Sequence, residues 1–212
     1  MKIASLGANY KRDQIARHGQ LPRSKGGDLI DEAWVTNEEV DYLSKYLKKN
    51  IKDLKFGICQ GVCNGAENRR FADKLGIEVI GTEIAKKDPN VFNGVIEWDM
   101  NEAKDEWIDN VDFMYTNSFD HTDRPQECLK TWMKCIKKDG MCILAWSGGH
   151  VSTNGADCFG ATFEEYKKLV EDCGFKVHDV ITWDDLNIDK DNFSTTLDGL
   201  KETRRQIIVK HK

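Results

Sequence analysis

The sequence predicts a doubly wound α/β fold: a mostly parallel sheet of seven strands, helices on both faces, and an antiparallel last strand. Three observations predict it. From residue 51 onward, short apolar runs of strand length alternate with amphipathic segments of helical period; the strands fall at 55–59, 78–83, 94–98, 111–116, 141–146, 175–183 and 206–210. Helical connections of this kind are crossovers, which give a parallel sheet covered on both faces. The last two strands are separated only by a polar stretch, residues 184–205, with no clear amphipathic helix. A return of that kind sets the final strand antiparallel to its neighbour.

Each element carries its own signals. Residues 1–50 read as an N-terminal arm and a cap helix, ahead of the main domain at 51–212. Thr36-Asn-Glu-Glu39 is a capping box, in which hydroxyl and carboxylate satisfy the orphan amides of a first turn, and it opens a helix with Val40, Leu43 and Leu47 inward. The helix after Gly65 stops at Leu75-Gly76, where glycine accepts the left-handed C-cap. Pro125 stands near the next helix start, and Leu129, Trp132, Met133 and Ile136 then line one apolar face, with Gly140 beyond the end. Thr162-Phe-Glu-Glu165 is a second capping box, followed by Tyr166, Leu169, Val170 and Cys173 on one face and Gly174 as the stop. With three prolines and no repeat or low-complexity tract, nothing marks a hinge between independent domains.

Composition narrows the class. The chain has 212 residues, 32% charged and 40% apolar, which fits a globular domain with a full core and not a disordered chain. No apolar run approaches the roughly 18 residues of a membrane span, and the start lacks a secretory h-region, so a cytoplasmic location is expected. Seven scattered cysteines read as reduced, mostly buried thiols. Cys59-x-x-x-Cys63 has no second ligand pair at zinc spacing, so no metal site is expected. A net charge of −5 argues against a general nucleic-acid binder. Residues 1–27 nevertheless hold Lys2, Lys11, Arg12, Arg17, Arg23 and Lys25 against Asp13 alone, so this arm is +5 and the remainder −10. Such an arm is either a solvated terminus or a contact for an anionic substrate.

The chemistry gathers at strand ends. Phe56-Gly-Ile-Cys-Gln-Gly-Val-Cys-Asn-Gly-Ala-Glu67 runs from a strand through a glycine-bearing turn into a helix, and Gly61 and Gly65 permit close backbone approach to a ligand. The second strand ends at Glu83, about twenty residues on, where nucleoside-binding α/β folds place an acid for ribose hydroxyls. The third ends at Asp99-Met100, and a carboxylate there can accept from an exocyclic amine. The fourth runs into Asn117-Ser-Phe-Asp-His121. Polar groups thus collect at four successive carboxyl ends, where the crevice of an open α/β sheet lies.

In order, spacing and motif character, residues 55 to 180 resemble a class I S-adenosylmethionine-dependent methyltransferase with its Rossmann-like fold. The resemblance places the family's glycine motif on Cys59-Gln60-Gly61-Val62-Cys63-Asn64-Gly65, which implies a cradle for the methionine part of S-adenosyl-L-methionine. It puts Glu83 on the ribose and Asp99 beside the adenine, with the Met100 backbone adjacent. It places the fourth motif on Asn117-Ser118-Phe119-Asp120-His121, Asn117 and Ser118 at the cofactor, with the helix and turn that follow at Leu129–Gly140. Residues 1–50 lie outside it. The sequence departs from the motif at Cys59, which stands for the acid that helps position the cofactor's ammonium, and at Cys63, which stands for the middle glycine.

Methyl transfer needs the nucleophile held in line, at about 3–3.5 Å, and often a base. His121, Asp120 and His150 in Ser147-Gly-Gly-His150 are the candidates, each at a strand end; each also has an ordinary packing or loop role open to it. Trp146 is a candidate wall of the acceptor pocket. The expected partner is a small-molecule acceptor; the oligomeric state is not written in the sequence. Two other classes remain open: a cofactor-binding pseudoenzyme or regulatory subunit, given the altered glycine motif, and a nicotinamide-dependent oxidoreductase, disfavoured because the full Gly-x-Gly-x-x-Gly turn is absent.

Overall fold

The structure, a computed structural model, describes residues 1–4, 6–20, 24–25, 28–29, 35–86, 93–153, 157–186 and 204–212. Seven strands organise it: β1 (Phe56–Gln60), β2 (Glu78–Glu83), β3 (Val95–Glu97), β4 (Val111–Thr116), β5 (Ile136–Trp146), β6 (Lys176–Thr182) and β7 (Arg205–Lys210). They lie in the order β3-β2-β1-β4-β5-β7-β6. Pairings from β3 through β5 are parallel, and β7 runs antiparallel to both β5 and β6. The chain winds outward from β1 in one direction and from β4 in the other, so the topological switch point lies between these two strands.

Among the described residues five α-helices accompany the sheet: α1 (Tyr10–Gln20), α2 (Asn37–Asn50), α3 (Ala66–Leu75), α4 (Pro125–Cys135) and α5 (Phe163–Asp172). Side chains along the central strands alternate between two cores, as a period of two requires. Ile58, Met114, Cys142, Leu144 and Val209 join Leu129 and Trp132 of α4 and Tyr166 and Val170 of α5. Cys59, Phe113, Tyr115, Ile143 and Ile208 join Val40, Leu43 and Leu47 of α2 and Phe71 of α3. Both faces are therefore covered.

Both capping boxes form. Thr36 Oγ1 accepts from the Glu39 amide at 3.0 Å and Glu39 Oε2 from the Thr36 amide at 2.8 Å; Thr162 and Glu165 reciprocate at 3.3 and 2.9 Å. Gly76 and Gly174 close α3 and α5 with φ of +71° and +90°.

The expected alternation of strand and helix is corrected in two places. Neither the β2–β3 nor the β3–β4 connection contains an α-helix among the described residues; Trp107, on a short 3-10 turn (Asp105–Trp107), fills the core beside β4 instead. β5 also begins at Ile136, directly from α4, and not at Met141. Val111 pairs with Ile136 but Phe113 with Met141, so the intervening residues bulge out of register. Gly140 is needed inside this bulge, where a β-carbon would fall 2.5 Å from the Asp112 carbonyl oxygen. Residues 187–203, most of the polar return before β7, lie outside the described residues. No described helix is long and apolar enough to cross a membrane.

Candidate active site

The turn after β1 is built by its neighbours. Gly61 has φ +69°, and a β-carbon there would lie 2.9 Å from Ser118 Cβ. The Ser118 hydroxyl sits 3.1 Å from the Gly61 carbonyl oxygen and 3.0 Å from Asn117 Oδ1. Gly65, at φ +76°, caps the start of α3, and a β-carbon would meet Val95 Cγ2 at 2.5 Å. Protein contacts thus already demand both glycines. Cys63 holds the left-handed conformation too, at φ +60°, which an ordinary side chain adopts only under constraint. Gln60 and Val62 bury their side chains: Gln60 Oε1 accepts from the Thr82 hydroxyl, and Val62 packs in the core shared by α2 and α3. Of this segment, Gly61 lines the cavity at the strand ends.

The two acids sit on adjacent strand ends. The Trp98 amide donates to the Glu83 carbonyl oxygen at 2.9 Å, which ties the segment after β3 to the end of β2. Glu83 is buried, and its Oε1 accepts from the Ala85 amide at 3.2 Å. Asp99 is buried as well, and Oδ1 accepts from both the amide and the side chain of Asn101 at 3.0 Å. Met100 lines the same cavity as Gly61 and Glu83, while its carbonyl oxygen accepts from Trp132 Nε1. Asn117 Nδ2 donates to Glu67 Oε1 at 3.0 Å.

His121, Asp120 and His150 come together. The 3-10 turn Phe119–His121 follows β4, and Gly148–Val151 follows β5. His121 Nε2 lies 3.3 Å from Asp157 Oδ1 and 3.8 Å from Asp120 Oδ1; His150 Nε2 lies 3.8 Å from Asp120 Oδ2. Burial lowers the His121 pKa, but the hydrogen bond to Asp157 and the charge of Asp120 outweigh it, and the net direction is up. Burial dominates at His150, and its pKa goes down despite Asp120. Trp146 is half-buried, with Nε1 donating to the Ala161 carbonyl oxygen at 3.0 Å.

No protein-family model matches the chain, and no curated protein matches it in sequence. Solved structures do. Geranyl diphosphate C-methyltransferase from Streptomyces coelicolor, in complex with Mg2+, geranyl diphosphate and S-adenosyl-L-homocysteine, aligns with a TM-score of 0.63 at 11% identity, covering 98% of this chain and 100% of that one. 1,6-Didemethyltoxoflavin-N1-methyltransferase from Burkholderia thailandensis, with 1,6-didemethyltoxoflavin and S-adenosylhomocysteine bound, aligns at 0.63 and 12%, over 99% and 93%. A SAM-dependent methyltransferase from Archaeoglobus fulgidus aligns at 0.57 and 16%, over 82% and 94%. The chain has the fold of the S-adenosylmethionine-dependent methyltransferases.

On this methyltransferase fold, α1 adds residues that sequence reasoning missed. Tyr10, Gln14 and His18 line the cavity with Gly61, Glu83 and His121; its volume is about 20 Å³. Gln14 Nε2 donates to the His121 carbonyl oxygen at 3.3 Å, and the His18 and His121 rings stand 5.1 Å apart. A larger recess of about 200 Å³ lies between Lys11, Trp98 and Asp99. Two groups, His18-Cys63-Glu83 and Asp120-His121-Asp157, each bring three ligand-type atoms within 4.8 Å of one another, a proximity that zinc-type sequence spacing does not reveal. The signal available in the sequence was the four-residue spacing of Tyr10, Gln14 and His18 on one helical face.

Proposed function

We propose that the protein is an enzyme that transfers the methyl group of S-adenosylmethionine to a small-molecule acceptor. The observation that carries this reading is the alignment of Gly61, Glu83 and Asp99 at the carboxyl ends of β1, β2 and β3, beside the switch point of a methyltransferase fold. The donor set fits the cofactor: two buried carboxylates on neighbouring strand ends suit ribose hydroxyls and an adenine amine. In this reading the turn 60–65, Met100, Asn117 and Ser118 complete the cradle; Gln60 and Val62 serve through their backbone. The cofactor, when bound, supplies an electrophilic sulfonium methyl.

The chain's own residues supply binding, alignment and proton handling. Residues 1–50 act as arm and cap, with α1 over the strand ends. Because α1 leaves only about 20 Å³ and a ligand site of this class needs hundreds, admission of the cofactor requires α1 to shift. His121 faces the cavity, and its pair with Asp157 favours the imidazolium. His121, Asp120 and His150 are the groups placed to take the acceptor's proton: burial lowers the His150 pKa toward the free base, and Asp120 Oδ1 has no hydrogen-bond partner. The acceptor is anionic in this reading. Arg12 and Arg17 are engaged with Asp13 and Asp157, so Lys2 and Lys11 carry the attraction among the described side chains. Seven free thiols fit a reducing, cytoplasmic setting.

Calorimetric titration with S-adenosylmethionine and with NAD tests the cofactor. Wild type should bind the first and not the second, and Glu83→Ala and Asp99→Ala should each weaken binding about tenfold or more while remaining folded. Unchanged affinity in both variants overturns the assignment, and preference for NAD favours an oxidoreductase. Transfer of labelled methyl groups to carboxylated and phosphorylated metabolites tests the enzyme; cofactor binding without transfer favours a pseudoenzyme or regulatory subunit.

A further inference from the structure

Glu67 occupies an unusual place. It stands in the first turn of α3, two residues past Gly65, and it is 5% exposed. Oε1 accepts from Asn117 Nδ2 at 3.0 Å, but Oε2 is buried without a hydrogen-bond partner. The groups around it leave Oε2 without a hydrogen bond, although the charges of Arg70 and Arg69 favour the ionised form. Cys59 on β1 and Tyr115 on β4 are buried, and burial pushes both pKa values far up, so both are neutral. Arg69 and Arg70, on its own helix, direct guanidinium nitrogens to the carbonyl oxygens of Asn64 and Val35 at 2.8 and 2.7 Å. An ionised carboxylate taken out of water with half its acceptor capacity unused is costly unless a cation or donor arrives.

We infer that Glu67 is the carboxylate that receives the α-ammonium group of the cofactor's amino-acid end, with Asn117 holding it in place. This rests on the methyl-transfer reading above. The order of the strands carries it. Asp99 follows β3 and Glu83 ends β2, so the adenine and ribose take those two ends. Adjacent strands stand about 4.8 Å apart, so the rest of the ligand extends over β1 and toward β4. There Gly61, Ser118 and Asn117 are joined by hydrogen bonds, and Asn117 Nδ2 in turn donates to Glu67 Oε1. The end that reaches this point carries one positive charge on its nitrogen, and Glu67 Oε2 is an acceptor in need of one. The neutral thiol of Cys59 offers no such charge. Burial raises the Glu67 pKa to about 7, consistent with a carboxylate that ionises fully when a cation is delivered to it.

The test compares two ligands that differ only at this end. S-Adenosylhomocysteine carries the amino acid; methylthioadenosine keeps adenine, ribose and sulfur but lacks it. Wild type and Glu67→Gln are titrated with both by calorimetry. The variant should lose about tenfold or more in affinity for S-adenosylhomocysteine and bind methylthioadenosine as wild type does. Equal affinity of both proteins for S-adenosylhomocysteine overturns the role of Glu67 alone, and so does an equal loss for both ligands, which reports a damaged pocket. Wild type that binds neither ligand overturns the methyl-transfer reading itself. Should Glu67→Gln not fold, wild type is titrated with the S-adenosylhomocysteine analogue bearing hydrogen in place of the amino group. A loss of about tenfold or more against S-adenosylhomocysteine supports the role, and equal affinity overturns it.

Discussion

Cys59 and Glu67 meet at the same buried spot with opposite demands on charge. The thiol is stable there because it stays neutral; the carboxylate is not, and its pKa rises from 4.5 to about 7, chiefly by burial. The consequence for stability has a definite sign. Because the folded state holds its proton more tightly than the unfolded chain, the folded protein is favoured at low pH and loses that advantage as pH rises from 4.5 to about 7. Urea unfolding of the ligand-free protein should therefore show wild type losing up to about 3 kcal/mol relative to Glu67→Gln between about pH 5 and about pH 8. Parallel pH profiles for the two would mean that Glu67 ionises as easily as in water. Residues such as Glu83 and Asp99 were legible in the sequence because they terminate strands at a recognisable interval. Glu67 was not, since a glutamate in a first helical turn serves any helix dipole. Tyr10, Gln14 and His18 were hidden for a similar reason: in a basic, polar arm, their common face shows only once α1 has a surface to lie on.

The second helix shows how one side chain can serve a local and a tertiary role together. Glu39 closes the capping box with Thr36, yet its Oε1 also meets Arg204 Nε at 3.1 Å and Gln206 Nε2 at 3.1 Å, on and beside β7. The box ties α2 to the far edge of the chain. Losing the two halves should therefore cost different amounts. Thr36→Ala removes a cap and should cost about 1 kcal/mol. Glu39→Ala also removes the carboxylate from a buried guanidinium and should cost about 3–5 kcal/mol, measured by urea unfolding at neutral pH. Equal costs would show that Arg204 reaches water in the native state. Both boxes, the Pro125 start and the stops at Gly76 and Gly174 were legible because capping chemistry is local, whereas Gly140 stands inside β5 and not at a helix end. The β5 bulge was not: Lys137, Lys138 and Asp139 read as a helix-ending loop, and only the pairing of Val111 with Ile136 makes them part of a strand. The crossovers around β3, which have no α-helix among their described residues, were missed because a short apolar segment such as the one at Trp107 carries no period to distinguish packing from helix.

At the scale of the whole molecule, the parallel sheet with its reversed last strand followed from alternation and one unhelical return, and the strand order then fixed where a ligand must lie. What alternation does not encode is what covers that place. α1 does so, and it is fastened by contacts to the site itself: Gln14 to the His121 carbonyl oxygen, and Arg17 to Asp157 at 3.4 Å, the same carboxylate that His121 Nε2 approaches at 3.3 Å. The arm is anchored further along by pairing of Lys2–Ile3 with Phe159–Gly160. In the proposed reading, a helix held this way yields for cofactor to enter and returns to enclose the acceptor. Deleting residues 2–20 should thus spare cofactor affinity, because Gly61, Glu83 and Asp99 remain on the sheet, and should speed cofactor association. It should at the same time raise the acceptor KM about tenfold or more, or abolish turnover, since the acceptor loses the wall formed by Tyr10, Gln14 and His18 and the charge of Lys11. The electrostatic share of that loss should shrink as salt is added to the intact enzyme, because exposed charges are screened beyond about 8 Å at physiological ionic strength. Rapid-mixing fluorescence with cofactor, followed by steady-state kinetics at low and high salt, separates these effects. A truncated protein with unchanged association rate and full activity on its acceptor would mean that α1 neither gates nor encloses the site.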